Sequence, residues 1–155
     1  MHIALRDADC ILQSRKGGYK MSIGIGGYAR IVMQDADTVV YEYGAYNLSE
    51  VAYRNPDHIY DGIITIDKQS LVEPEIHEKL KKQPNGKKKS ITKRIKRDVD
   101  YSKRFLLRQI SVENSRFCWK ILENEVGLIA MHLIFEIFNL YQGGGILPET
   151  VCYNV

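Results

Sequence analysis

The chain has 155 residues, 45% hydrophobic and 26% charged, with a formal net charge of +3. Those proportions are those of an ordinary globular protein of one domain, large enough to bury a core. No apolar run approaches the roughly 18 residues that a spanning helix requires, which excludes a transmembrane segment of that kind.

The first residues, MHIALRDADCILQSRK, are charged throughout and lack the apolar stretch of a secretory signal, so the sequence points to the cytoplasm. Cys10, Cys118 and Cys152 are scattered without a CxxC pair and outline neither a disulfide framework nor a zinc site. The modest net charge hides a division. Ten basic residues and no acidic one lie between Lys79 and Arg97, leaving twelve basic against nineteen acidic residues elsewhere, a net of −7. An acidic body carries one basic strap, an asymmetry that bears on partners and on association rates.

In chain order, residues 14–30 read SRKGGYKMSIGIGGYAR. Gly24, Gly26 and Ala29 match the spacing of a dinucleotide fingerprint, but that chemistry needs a strand before the glycines and a helix after them. Here the preceding residues are polar and the following YARIVMQ is β-prone, so the fingerprint lacks its context. Gly17-Gly18 can instead be encoded as GGAGGN, a ribosome-binding purine run, with the two codons of Tyr19 and Lys20 as the spacer before Met21. Residues 1–20 then read as a translated leader in a bacterial gene whose natural start is Met21, the alternative being a genuine flexible N-terminal arm.

Tyr28–Gln34 (YARIVMQ) predicts a first strand, Asp35-Ala36-Asp37 a turn, and Thr38–Asn47 (TVVYEYGAYN) a second strand closing a hairpin. Val39, Tyr41 and Tyr43 share one face, Val40 and Glu42 the other. Residues 48–58 form a connection with a helical turn, and Ile59–Lys68 (IYDGIITIDK) a third strand with Gly62 as a bulge or kink. Ser70 suits the cap of a short helix running to about Lys82, stopped by Gln83-Pro84-Asn85-Gly86. Beyond it, Ile91, Ile95 and Val99 recur at four-residue spacing, which fits a lightly docked helix or a mobile excursion. Phe105–Asn114 (FLLRQISVEN) predicts a strand, and Ser115–Leu122 (SRFCWKIL) is compatible with either state. Asn124–Gln142 carries apolar residues over most of a helical circumference, predicting a buried helix about 28 Å long that Gly143-Gly144-Gly145 ends. TVCYNV closes the chain as a strand or docked tail. The expected architecture is α+β: an antiparallel sheet packed on one long buried C-terminal helix (about 124–142), in a single domain over 21–155 with a basic excursion at 79–97.

No catalytic constellation emerges. Cys118 has no local signature pairing it with His132, and a lone cysteine is usually an inert hydrophobe. Asp57, His58 and Asp61 form a carboxylate–imidazole group that suits a metal-dependent hydrolase, but without the ordered ligand spacing of a known site. No cofactor or metal is assigned. The basic strap, with Lys87, Lys88, Lys89, Lys93, Arg94, Lys96 and Arg97, suits contact with the phosphates of a nucleic acid, although it lacks aromatic stacking platforms. Six of the ten tyrosines fall between Tyr28 and Tyr60 among acidic residues. Some of them are core, Tyr41 and Tyr43 first. The remainder outlines a contact surface for a protein partner, formed by Asp35, Asp37, Glu42, Tyr46, Glu50, Tyr53 and Asp57.

Through VVYEYGAYN (39–47), DGIITID (61–67) and the acidic turn DAD (35–37), the chain resembles the small immunity proteins of bacterial toxin–immunity pairs, in type and not by a shared motif. That resemblance implies a non-enzymatic protein that neutralises a cognate toxin domain, often a nuclease, by stoichiometric binding. The basic strap departs from the acidic character expected of a nuclease inhibitor. Two alternatives stand beside it: nucleic-acid binding through residues 79–97, and metal-dependent hydrolysis.

Overall fold

The computed structural model describes residues 24–155, so the expectation of a leader over residues 1–20 falls outside the described residues. The fold is α+β. Its sheet is made by β1 (Ile25–Gln34), β2 (Thr38–Asn47), β3 (Gly62–Asp67), β6 (Ile110–Glu113) and β7 (Thr150–Asn154), in the order β6-β3-β2-β1-β7 with every pair antiparallel. A second sheet has two strands, β4 (Glu75–Lys82) and β5 (Lys88–Ile95). A short α1 (Tyr101–Leu106) precedes β6, and the long α2 (Leu128–Gly144) lies between β6 and β7.

Strand alternation explains the core. Val39, Tyr41 and Tyr43 stand on one face of β2, opposite Ile66, Ile64 and Gly62 of β3, and each of the three is completely buried. Ala29 and Val151 continue that face across β1 and β7. Onto it packs α2 through Ile129, Ala130, Leu133, Ile134, Ile137 and Phe138. Two glycines permit close packing, Gly27 between sheet and helix and Gly62 within the sheet. A Cβ on Gly27 would lie 2.4 Å from the Ile129 side chain, and one on Gly62 would lie 2.2 Å from the Tyr43 ring. Gly62 is thus a packing necessity at the start of β3, with the Tyr43 ring filling the space a side chain would occupy.

The buried phenols keep their protons. Tyr41 donates to the Pro148 carbonyl at 2.7 Å, and the Tyr43 oxygen accepts the Ser115 N–H at 2.9 Å. Burial raises both well above the ordinary tyrosine range. Both therefore satisfy their polar tips while contributing aromatic area to the core.

Helix α2 begins four residues later than the periodicity predicts. Residues 121–127 form a tight connection in which the Leu122 N–H donates to the Val126 carbonyl and the Gly127 N–H to Asn114 Oδ1. A Cβ on Gly127 would fall 2.0 Å from Cys118 Sγ, so glycine permits the close passage here. At the other end only the last residue of the glycine run is outside the helix. Gly145 takes φ of 75° and its N–H closes on the Tyr141 carbonyl at 2.7 Å.

The basic segment departs from expectation. The helix expected from Ser70 to Lys82 is replaced by a 3-10 turn at Lys68–Ser70 followed by β4, and the segment after Gly86 is the strand β5 and not a helix. Ser70 is buried and its hydroxyl donates to the Asp67 carbonyl at 2.6 Å. The physical reason is that a four-residue spacing, Ile76 to Leu80 or Ile91 to Ile95, returns a side chain to the same face in a strand as in a helix. The decisive local signal is the turn. Gln83 N–H donates to the Lys87 carbonyl at 2.8 Å, Gly86 N–H donates to the Gln83 carbonyl at 3.0 Å, and Gly86 sits at φ 79°. Phe105–Asn114 is likewise divided: its first residues finish α1, whose cap is Asp100, and β6 begins only at Ile110.

Candidate nucleic-acid interface

All sixteen residues of β4 and β5 are exposed, so the hairpin stands away from the body as an arm. Each strand of eight residues is about 26 Å long at 3.3 Å per residue. The register pairs Glu75 with Ile95, His77 with Lys93, Lys79 with Ile91, Lys81 with Lys89 and Lys82 with Lys88. Cross-strand partners share a face and successive residues alternate. One face therefore carries Lys79, Lys81, Lys89 and Lys93. The other carries Lys82, Lys88 and Arg94, and Lys87 stands at the tip.

Two of those pairs set lysine directly against lysine, an arrangement that works against the hairpin. The arm's two acidic residues, Glu75 and Glu78, sit toward its root, and Glu75 is taken by His77 at 2.8 Å. No ion pair involves an arm lysine among the described residues. Apolar Ile76, Leu80, Ile91 and Ile95 are interleaved on both faces and remain exposed.

At the root the arm is tied to the end of α2. Gln142, 3% exposed, accepts the Arg97 N–H at 2.7 Å and donates to the Arg97 carbonyl at 2.9 Å. Lys96 Nζ donates to Asn139 Oδ1 at 2.5 Å, and the Arg94 guanidinium lies against Gly145, 3.2 Å from where a Cβ would be. Cations at a helix C-terminus complement its dipole. Of the seven residues expected to meet nucleic acid, Lys87, Lys88, Lys89 and Lys93 are on the projecting part, while Arg94, Lys96 and Arg97 lie at the root, Lys96 bonded through its side chain and Arg97 through its backbone. Lys79, Lys81 and Lys82 join the projecting set through the β4–β5 register. Gln142 escaped sequence reasoning, although a glutamine on the buried stripe of an apolar helix was the available signal.

The residues expected to form a protein-binding surface are divided among separate places. Asp35 and Asp37 occupy the β1–β2 turn, where Asp35 Oδ1 accepts the N–H groups of Asp37 and Thr38, both at 2.8 Å. Those hydrogen bonds lower the Asp35 pKa, so its charge serves the turn. Glu42 lies mid-strand on the sheet face opposite α2, paired with Arg30, whose guanidinium sits 3.9 Å over the Tyr60 ring. Tyr46, Glu50, Tyr53 and Asp57 gather at the far end of β2 and the loop after it, about 30 Å along the strand from the turn. Tyr46 bonds Asn154, and its ring lies 6.4 Å from that of Tyr28, which also meets Tyr60 and His58. The loop is latched by buried Asn55, whose amide donates to the Tyr28 hydroxyl and to the Ala45 and Ile59 carbonyls.

Asp61 is drawn to Ser115 Oγ at 2.5 Å and to Arg116, and no group of three metal-ligating side chains occurs among the described residues. Cys118 and His132 have separate partners. Burial raises the Cys118 thiol pKa, against a nucleophilic role, while His132 stacks on Tyr153 at 4.2 Å and is pushed down by burial. Cys118 is a free thiol. An open cleft of about 350 Å³ beside the arm root, lined by Gln34, Lys68, Leu71 and Tyr141, brings no reactive groups together. No described helix is long and apolar enough to cross a membrane. Comparison with protein-family models, curated proteins and solved structures returned no match.

Proposed function

We propose that the protein binds nucleic acid through the β4–β5 arm, without making or breaking bonds. The observation that carries this reading is the lysine-on-lysine register, Lys81 opposite Lys89 and Lys82 opposite Lys88, on a ribbon with no buried residue. Intramolecular packing gives no return for that repulsion. A polyanion lying along the arm relieves it and releases its own condensed counterions. Affinity for a fluorescent nucleic acid, read by anisotropy, is expected to fall steeply with added salt. Replacing Lys87, Lys88 and Lys89 by glutamine should lower the salt slope by about 3 × 0.9 for duplex DNA. Binding that ignores both salt and those substitutions would refute the reading.

A second reading has its own support. Beside Glu50, Tyr53 and Asp57, Leu48 and Val51 are strongly exposed, 55% and 78%. Apolar, tyrosine and acidic groups together suit a protein contact, the surface expected of an immunity protein that neutralises a toxin domain by stoichiometric binding. Copurification with one partner, weakened by Tyr53→Ala and Asp57→Lys but not by the arm substitutions, would favour this second reading over the first.

A further inference from the structure

We infer that the arm enters the major groove of duplex DNA, placing both of its faces against phosphates. This rests on the nucleic-acid reading above and narrows it to one form of nucleic acid. The carrying observation is two-sidedness. A strand pair that lies on a flat or single-stranded polyanion needs cations on one face only, and the opposite face is free to be neutral or acidic. Here the outer arm has lysines on both faces and at the tip, namely Lys79, Lys81, Lys89 and Lys93 on one side, Lys82 and Lys88 on the other, and Lys87 between them. No acidic residue accompanies them between Lys79 and Lys93. Such an element is matched by a slot with anionic walls on both sides.

Dimensions choose the slot. A β-layer with its side chains is about 10 Å thick, judged from the spacing of packed sheets. The major groove of B-form DNA is about 12 Å wide and admits a two-stranded ribbon, whereas its minor groove is about 6 Å wide. The major groove of an RNA duplex is deep and narrow. Single strands are gripped through aromatic platforms, and between Glu75 and Ile95 there is no Phe, Tyr or Trp. The arm's reach of about 26 Å covers most of one helical turn. Lysine supplies point charges and not the planar forks that read base edges, so binding is expected to be largely indifferent to sequence. The tether between Gln142 and Arg97 holds the root, so the ribbon is presented in a set direction before DNA arrives.

The test uses the full chain and four labelled probes of one sequence: a 20-base-pair DNA duplex, its single strand, the matching RNA duplex, and the DNA duplex with glucosylated hydroxymethylcytosine, whose sugars fill the major groove. Anisotropy is read over a salt series. The unmodified DNA duplex should bind tightest and lose roughly 10³–10⁴-fold in affinity between 50 and 200 mM salt, as about seven lysine contacts require. The glucosylated duplex should bind at least tenfold more weakly. Neutralising one face (K79Q, K81Q, K89Q and K93Q) should reduce the salt slope by about 3.6, and neutralising the other (K82Q and K88Q) by about 1.8. Equal affinity for the RNA duplex, the single strand or the glucosylated DNA would overturn groove insertion while leaving nucleic-acid binding in place. So would a slope that responds to one face alone. Absence of salt-sensitive binding to all four probes would remove the nucleic-acid reading as well. The comparison among probes uses the unaltered chain and stands even where a variant folds poorly.

Discussion

The body and the arm are built from the same kind of strand yet are held in opposite ways. In the body, Val39, Tyr41, Tyr43, Ile64 and Ile66 are wholly buried under α2, and every strand of the sheet has a partner or a layer that excludes water. In the arm no residue is buried, the ladder hydrogen bonds face solvent, and like charges stand opposite one another. An isolated two-stranded hairpin is marginal in water. The arm persists through its turn at Gln83–Gly86 and its tie to Gln142 and Asn139. Burial makes the body, and attachment makes the arm. The contrast also separates what serves stability from what is left to meet a partner.

The sharpest way to break the contrast is at the centre of the body. Ile137→Ala removes a fully buried side chain from α2 and is expected to cost about 2–5 kcal/mol in urea unfolding, whereas Leu80→Ser on the arm should stay within about 0.5 kcal/mol. A smaller loss follows from Gly62→Ala, since the new Cβ would press on the Tyr43 ring. Overpacking of that kind typically costs about 1–3 kcal/mol, and Tyr43→Leu in the same chain should recover part of it if the ring is the cause. Gln142→Ala tests the joint between the regions. Hydrogen exchange at the amides of residues 88–95 should accelerate well before global unfolding changes, because the loss is of the root tether more than of core contacts. The smallest effect is expected from replacing residues 75–95 by a short Gly-Ser link. Glu75 and Ile95 are cross-strand partners, so the ends already lie side by side, and the melting temperature of the body should move by only a few degrees.

Much of the body was legible in the sequence because its elements carry periodicities that only one structure satisfies. The alternation in TVVYEYGAYN placed Val39, Tyr41 and Tyr43 inward, and the apolar circumference of α2 placed that helix against the sheet. The arm was misread for an equally physical reason. EIHEKLKK is composed of good helix formers with Ile76 and Leu80 four apart, a pattern without power to choose between helix and strand, and with no burial to arbitrate. The expected tyrosine–acid surface came apart because a hairpin puts residues ten apart in sequence at opposite ends of a long ladder. Asp35 was also already spent on its own turn.

By itself the sequence determined the class of fold, the inward side of the β1–β2 hairpin, the buried C-terminal helix and the concentration of positive charge between Lys79 and Arg97, since each is a property of local pattern or composition. Only the tertiary structure decided that this charge rides on a ribbon, which lysines share a face, and how the root is held against α2. Those depend on cross-strand register and on a glutamine forty-five residues from its partner Arg97, and neither is encoded in any local window.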